Sequence, residues 1–231
     1  TDTIFTVSGL IEGNMYYIGV SVLDQDGYES LIVEKSATPF EFPFAPEGFT
    51  AKPLWHQVEL SWFNNREYDL YGYNLYRSAI EGQLGNKLNQ NILQDTTYVD
   101  ASAANGIYYY YTVSAVDSML NESLSNLTLR SRVVSLDQGI LIVDETADGD
   151  GSPMNPTDEE ADNFYSELLA HFNKQQYDMI EESQISLADL GAFSTVIWHG
   201  NDFTDMNAPY DYKEELIKYL NFGGNFLYTG Y

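Results

Sequence analysis

The sequence predicts a multidomain chain in which all-β sandwiches come first and a three-layer α/β domain with a parallel sheet follows. Three observations predict this fold class. A segment of 18 residues recurs 93 residues further on, several short segments within residues 57–133 alternate between apolar and polar side chains, and beyond Asp137 apolar runs are separated by segments with helical spacing. Alternation at period two is typical of half-buried strands, whereas apolar runs between helices are typical of βαβ units.

The repeat covers residues 13–30 and 106–123, which are identical at eight of eighteen positions. Its offset is close to the roughly 100 residues of one seven-stranded β-sandwich. The repeat therefore predicts two tandem sandwiches. The identical pairs are Gly13 and Gly106, Tyr16 and Tyr109, Tyr17 and Tyr110, Val20 and Val113, Ser21 and Ser114, Asp24 and Asp117, Glu29 and Glu122, and Ser30 and Ser123.

Strands of the second sandwich are expected where the alternation is clearest, at residues 57–63, 71–77, 96–100, 108–117 and 124–133. Prolines punctuate the stretch before them. Because proline has no N–H, it cannot lie inside a sheet ladder, so this stretch is predicted to be a linker and the entry to an edge strand. The prolines are Pro39, Pro43, Pro46 and Pro53.

Four segments of this second unit resemble a fibronectin type III domain. They are residues 58–62 (VELSW), 72–77 (GYNLYR), 97–100 (TYVD) and 106–123. The resemblance implies a complete domain at residues 46–136. It also implies that Trp62 is the core tryptophan, and that Tyr108 or Tyr109 forms a tyrosine corner, in which the hydroxyl bonds back to the backbone.

Residues 1–38 resemble only the last three strands of such a domain, with Leu10, Gly13 and Tyr16 at its corner, and residues 39–45 are a predicted linker. Half a sandwich leaves an open apolar face and unpaired strand edges, so it is not expected to fold alone. Two hypotheses follow: the chain is a window of a longer protein, or another chain supplies the missing strands.

Residues 137–231 are predicted to form the α/β domain. The segment resembles the Rossmann-like, glutamine-amidotransferase-like domains found beside fibronectin modules in large secreted bacterial proteins. Such domains normally continue beyond the point corresponding to Tyr231, so an incomplete domain is expected. The predicted strands are 139–144, 177–181, 195–198 and 225–229, and the predicted helices are 158–175 and 209–221, the latter ended by Gly223 and Gly224.

Polar residues follow the apolar strands of this domain, at the edge where open parallel sheets bind ligands. A histidine near carboxylates acts as a general base or as a metal ligand, so the candidate catalytic residues are His199, Asp144 and Asp202. The alternative is that strand ends are polar because they reach solvent. The full set at this edge is Asp144, Glu145, His199, Asn201, Asp202 and Thr229.

Residues 196–200 (VIWHG) resemble the histidine half of the caspase-like and gingipain-like cysteine peptidases. The resemblance implies a nucleophilic cysteine after the next strand, where this chain has Thr229 and Gly230 and where no cysteine exists anywhere. A peptidase mechanism therefore has no thiolate, and a threonine hydroxyl would need its own activating base. A non-catalytic relative of these enzymes is the favoured interpretation of the two.

An acid-rich loop follows the first strand of the α/β domain, and Asp144, Asp148 and Asp150 are candidate calcium ligands. Carboxylate oxygens suit calcium, but the complete EF-hand spacing is missing. The alternative is a solvated loop before a helix whose N-cap is Thr157 or Asp158. Further acids close by are Asp158, Glu159, Glu160 and Asp162.

The chain has 19 tyrosines, including four in a row at 108–111. Since successive strand residues point to opposite faces, two of the four should point outward. With Tyr71 or Tyr73 on a neighbouring strand, they form a hypothetical aromatic platform for carbohydrate or protein. The alternative is ordinary cross-strand packing.

The net charge of −25 would repel nucleic acid phosphates and anionic lipid head groups, so neither nucleic acid binding nor membrane insertion is expected. Neither a membrane span nor a signal peptide is expected within these residues. The favoured function is a non-catalytic modular scaffold, secreted or on a bacterial cell surface. Its partners are protein or carbohydrate ligands or other domains of a parent chain, and calcium is the one candidate cofactor. The alternatives are a secreted hydrolase with its site around His199, and a binder that uses exposed tyrosines.

Overall fold

The structure is a computed structural model that describes residues 4–11, 13–39, 42–124, 127–147, 149, 151–152, 156–179, 184–200 and 208–230. The strands are β1 (Tyr16–Val20), β2 (Val33–Ala37), β3 (Thr50–Leu54), β4 (Gln57–Ser61), β5 (Leu70–Ser78), β6 (Asn86–Lys87), β7 (Thr97–Asp100), β8 (Tyr109–Asp117), β9 (Thr128–Ser131), β10 (Ile140–Glu145), β11 (Lys174–Asp178), β12 (Thr195–Gly200) and β13 (Asn225–Gly230). The helices are α1 (Asp158–Leu168), α2 (Leu187–Leu190), α3 (Ala208–Asp211) and α4 (Lys213–Asn221).

Two antiparallel sheets, ordered β3-β4-β7 and β6-β5-β8-β9, pack into a sandwich. Alternate residues of both sheets share one core, which buries the apolar face of each strand. Trp62 lies in it as predicted, with its ring 5.3 Å from that of Tyr73 and 6.4 Å from that of Phe49. Pro53 lies in β3 at the edge of its sheet, where a missing N–H is tolerated. This arrangement is consistent with a fibronectin-type sandwich.

The sequence repeat is also a repeat of hydrogen bonds. Asp24 Oδ1 accepts from the backbone N–H groups of residues 26 and 28, and Asp117 Oδ1 accepts from those of residues 119 and 121. The hydroxyl of Ser30 accepts from Val22 N, as that of Ser123 does from Ala115 N. Each pair of bonds differs by the same offset of 93 residues. The identical residues therefore specify one turn, built twice.

Leu120 occupies a left-handed conformation in the second copy of this turn, with φ of 67°, where the first copy has Gly27 with φ of 85°. A side chain in this region is strained by about 1–2 kcal/mol, whereas glycine is not. Leu120 is mostly exposed, so its removal uncovers no core. Glycine relieves this strain but also adds entropy to the unfolded chain, which partly offsets the gain. We expect Leu120→Gly to raise the free energy of unfolding by about 0.5–1 kcal/mol as the net result. Urea unfolding measures it; Ser118→Gly, in the same turn, is the control and should destabilise instead.

The two copies differ in what covers them. Ile18, Val20 and Val22 are 39%, 63% and 68% exposed, whereas their equivalents Tyr111, Val113 and Ala115 are at most 4% exposed. In the second copy, strands β4 and β5 supply the covering side chains. In the first, β1 and β2 form a two-stranded antiparallel sheet. The open apolar face predicted for residues 1–38 is therefore present among the described residues.

A four-stranded parallel sheet, ordered β11-β10-β12-β13, forms the last part of the chain. Helix α1 packs on one face, where Tyr165 and Leu169 contact Ile142 and Ile197. Helices α2 and α4 cover the other face and bury Trp198. The sheet is thus enclosed in three layers, as the apolar runs of β10 and β12 predict. A Rossmann-like or glutamine-amidotransferase-like assignment of this unit stays a prediction.

Some predicted boundaries are wrong. The helix predicted at 158–175 ends at Leu168, and the strand predicted at 177–181 begins at Lys174. The reason is register: Ile140 pairs with Lys174 and Asp144 with Asp178, so the edge strand must begin where β10 begins. The predicted helix at 209–221 is two helices, α3 and α4. Thr157 is the N-cap of α1, with its hydroxyl accepting from Glu160 N.

The tyrosine corner is found in the first copy of the repeat. The hydroxyl of Tyr16 accepts from Ile11 N at 2.9 Å, five residues upstream. In the second copy the prediction is wrong for Tyr108, whose hydroxyl donates to the carboxylate of Asp189 in the α/β unit instead. The equivalent of Tyr16 is Tyr109, whose ring lies under the guanidinium of Arg77 at 4.4 Å.

Candidate functional site

Three of the predicted site residues lie in one row across the parallel sheet. Asp144 on β10 is in register with His199 on β12, which is in register with Thr229 on β13. All three follow apolar strand residues, and the side chains of Asp144 and His199 are both 4% exposed. The alternative that these strand ends are polar because they reach solvent is therefore wrong for Asp144 and His199.

The His199 imidazole is enclosed by three side chains, those of Asp144, Thr146 and Tyr165. Its Nδ1 lies 2.9 Å from Thr146 Oγ1 and 3.5 Å from Asp144 Oδ1. Tyr165 of α1 stacks on the ring, with centroids 4.1 Å apart and planes inclined by 15°. The Tyr165 hydroxyl is hydrogen-bonded to that of Thr229. Helix α1 therefore covers this row of residues through Tyr165.

Asp144 shares its surroundings with a second carboxylate. Asp162 of α1 and Asp144 both accept from the amide of Gln176, and Asp144 also accepts from Thr146 N at 2.8 Å. One donor atom of Asp144, of Asp162 and of His199 lie within 4.8 Å of one another. Two carboxylates and an imidazole thus converge beneath the N-terminal half of α1.

Burial shifts the pKa values of Asp144 and His199 in the directions that favour their neutral forms. Burial, together with Asp162, raises the pKa of Asp144 to about 7, although hydrogen bonds from Thr146 oppose the change. Burial lowers the pKa of His199 to about 4. At neutral pH the imidazole is therefore uncharged, and its 3.5 Å contact with Asp144 is not an ion pair.

Other predicted residues do not join this cluster. The Glu145 carboxylate accepts from Trp198 Nε1 on the opposite face of the sheet. Asn201, Asp202, Asp148 and Asp150 lie outside the described residues, so the calcium set and the third catalytic candidate stay predictions. Sequence reasoning missed the roles of Thr146, Gln176 and Tyr165. The spacing of Asp162 and Tyr165, three apart on one helix, is the signal that could have placed them on the face above the row.

A second feature joins the sandwich to the α/β unit. Arg132, just beyond β9, is 5% exposed, and its guanidinium lies 4.2 Å from the Tyr108 ring and 5.2 Å from the Phe193 ring. It donates to the backbone carbonyls of Ala188 and Asp189, at the end of α2. Burial lowers the pKa of Arg132, which reflects how completely water is excluded there.

The Asp189 carboxylate is the acidic centre of this interface. It accepts from the Tyr108 hydroxyl, from Arg130 at 3.1 Å, and from Ser186 N at 2.8 Å. Burial raises the pKa of Tyr108, so its proton stays in the bond. Two arginines among the ten basic residues of the chain thus converge on one short helix.

The backbone between the two units is itself hydrogen-bonded. Ser135 N and Leu136 N donate to Gly191 O at 2.9 and 3.1 Å, and Gln138 N donates to Ala192 O at 2.9 Å. Val133 belongs to the core of the sandwich and the adjacent Val134 to the core of the α/β unit. The connection is therefore a short segment, residues 134–138, that is hydrogen-bonded to the α/β unit and is not a free linker; we call it the strap.

The hypothesis of an exposed tyrosine platform is wrong for Tyr73 and for Tyr108. Tyr73 and Tyr111 are buried in the sandwich core, and Tyr108 is covered by Arg130 and Arg132. Tyr71 is half exposed and Tyr110 is half-buried, so a platform that uses these two rings stays a prediction. The alternation of the strand is as predicted, but the outward position of Tyr108 faces the α/β unit instead of solvent.

No family model matches the chain. Its sequence is similar to segments of amylopullulanases, 33% identical over 122 residues in Thermoanaerobacterium thermosulfurigenes and 44% identical over 71 residues in Thermoanaerobacter thermohydrosulfuricus. The first match covers 51% of this chain and 6% of the relative, the second 30% and 5%. The chain therefore spans only a small part of the length of these relatives.

Two solved structures share part of the chain. An Fn3-like protein from Clostridium thermocellum is 28% identical, with 42% of this chain and 99% of that chain covered and a TM-score of 0.35. A β-1,2-glucanase from Parabacteroides distasonis is 26% identical, with 48% and 16% covered and a TM-score of 0.34. The description of the sandwich rests on its strand pairing and not on these two structures. No helix among the described residues is long and apolar enough to cross a membrane.

Proposed function

We propose that this chain is a non-catalytic accessory segment of a secreted or cell-surface bacterial protein, in which the fibronectin-type sandwich spaces and presents the α/β unit. The observation that carries the proposal is the interface around Arg132 and Asp189. A spacer that presents a second unit needs a fixed orientation, and this interface supplies one through buried, charge-assisted hydrogen bonds and a bonded strap.

The proposal divides the chain into residues 1–38, 46–136 and 137–231, with residues 39–45 between the first two. The two cores divide between Val133 and Val134, three residues before the last boundary, and this supports a boundary in that region. The segmental similarity to amylopullulanases, enzymes named for a polysaccharide, supports a modular accessory role. It also supports carbohydrate, or other domains of a parent chain, as the partners.

A hydrolase is the second candidate, and the pairing of His199 with Asp144 is the observation that favours it. Three features weigh against it. The chain has no cysteine, the Thr229 hydroxyl is engaged by Tyr165, and His199 is 3% exposed. A general base must reach its substrate, directly or through one water, and a buried imidazole with a lowered pKa is poorly placed for that role.

Turnover assays separate the two candidates. The whole chain is incubated with pullulan, amylopectin and casein, and new reducing ends and new amines are measured beside a His199→Gln variant. We expect the unmodified chain to release no more product than the His199→Gln variant from any of the three substrates. Hydrolysis by the unmodified chain that disappears in His199→Gln would establish the hydrolase and overturn the accessory role.

A further inference from the structure

We propose that Asp144, Asp162 and His199 form a binding site for a divalent transition-metal ion of the zinc type. The inference does not depend on the accessory role. Each residue offers one donor atom, and the three atoms lie within 4.8 Å of one another beneath α1. Asp144 and His199 are buried and Asp162 is half-buried, so an ion here would be largely withdrawn from water.

The spacing of the donors suits one small cation. Zinc binds nitrogen and carboxylate oxygen at about 2.0–2.2 Å, so two ligands of a tetrahedral ion lie about 3.4 Å apart. The donor atoms of Asp144, Asp162 and His199 lie within 4.8 Å of one another, so small side-chain movements would bring them to this spacing.

The charges of the site also call for a cation. Asp144 and Asp162 are adjacent carboxylates, and like charges in a buried site repel each other strongly. Within the part of the chain that the structure describes, no lysine or arginine is paired with Asp144 or Asp162. A divalent ion would balance both carboxylates and leave the imidazole neutral, which is the form that binds metal.

The imidazole supplies an independent sign of a missing ligand. His199 Nε2 is buried and has no hydrogen-bond partner among the described residues. A buried polar atom without a hydrogen-bond partner destabilises the folded chain, so this nitrogen needs an explanation. Metal-bound histidines use one ring nitrogen for the ion and the other for an outer partner. Thr146, 2.9 Å from Nδ1, is placed to be that partner.

The donor set selects the class of ion. Calcium and magnesium take oxygen ligands, whereas an imidazole with carboxylates suits zinc and its neighbours. Asp144 is common to this site and to the predicted calcium set with Asp148 and Asp150. The two hypotheses therefore make opposite predictions about which cation the chain prefers.

Isothermal titration of the chelator-treated full chain with Zn²⁺, and separately with Ca²⁺, tests the proposal. We expect one saturable Zn²⁺ equivalent and no competition by Ca²⁺ at the same concentration. Asp162→Asn, a change at a half-buried position, should weaken the apparent Zn²⁺ affinity at least about tenfold, as should His199→Gln. The control is His171→Gln, which removes an exposed imidazole and should leave the affinity unchanged.

Circular dichroism first verifies that each variant is folded. Should His199→Gln fail to fold, Asp162→Asn and the visible spectrum of the Co²⁺-loaded chain decide, because intense d–d bands report a tetrahedral site with a nitrogen ligand. Zinc binding that Asp162→Asn leaves unchanged, a Co²⁺ spectrum like that of the free ion, or tighter binding of Ca²⁺ than of Zn²⁺ each overturns the proposal.

Discussion

Replacing Arg132 by alanine should lower the free energy of unfolding of the α/β unit by about 3–5 kcal/mol. The guanidinium is buried and donates to the carbonyls of Ala188 and Asp189. Without it, these acceptors and the nearby Asp189 carboxylate lose a compensating positive charge, and the rings of Tyr108 and Phe193 lose the group between them. We expect the unmodified chain to unfold in urea in one coupled transition and the Arg132→Ala variant to unfold in two.

Arg130 is the matched control for Arg132. It also contacts Asp189, at 3.1 Å, but its side chain is 43% exposed. Exposed ion pairs contribute about 0–1 kcal/mol, so Arg130→Ala should have a small effect and leave a single transition. Equal effects of the two substitutions would show that burial at Arg132 is not what holds the units together.

Asp100→Ala should destabilise the sandwich by about 3–5 kcal/mol, because it removes one partner of a buried charged network. The Asp100 carboxylate on β7 accepts from Arg77 at 2.6 Å and from Tyr111 at 2.9 Å, which belong to the opposite sheet, and from Ser102 at 2.7 Å. Asp100 therefore bonds one sheet to the other. Urea unfolding measures the loss. Asp95→Ala, at an exposed position, is the control and should change stability by less than about 0.5 kcal/mol.

The contribution of Asp100 should depend on pH. Burial alone would raise its pKa, but the hydrogen bonds from Ser102, Arg77 and Tyr111 together hold the pKa below its usual value. The unfolded chain therefore binds this proton more tightly than the folded chain. The stabilisation that Asp100 provides is present above the pKa of this carboxyl in the unfolded chain, about 3.9. It is lost as the pH falls through the lower pKa that the carboxyl has in the folded chain. The gap between the unmodified chain and Asp100→Ala should narrow on acidification, and a constant gap would contradict this explanation.

Features encoded within one segment could be predicted from the sequence. The repeated turn needs Asp117, Ser123 and their neighbours at fixed spacing, and all of its bonds are local. The core position of Trp62 follows from strand alternation. The end of α1 was mispredicted because it depends on the register of β11 against β10, which is a contact between distant segments.

The site was predicted in part for the same reason. Asp144 and His199 follow apolar strands, and the parallel sheet places such residues side by side. The stacking of Tyr165 on His199 and the position of Asp162 depend on how α1 lies across the sheet, which periodicity does not define. The role of Tyr108 was missed because its outward face is covered by a unit 81 residues away in sequence.

The interface around Arg132 fixes the orientation of the α/β unit on the sandwich, and a distance between two spin labels measures that orientation. The chain has no cysteine, so Asp95→Cys and Glu167→Cys, both at exposed positions, create the only two labelling sites. Double electron–electron resonance should give one narrow distance distribution for this labelled chain and a broad one when Arg132→Ala is added. A broad distribution with Arg132 in place would show that this interface does not fix the orientation of the two units.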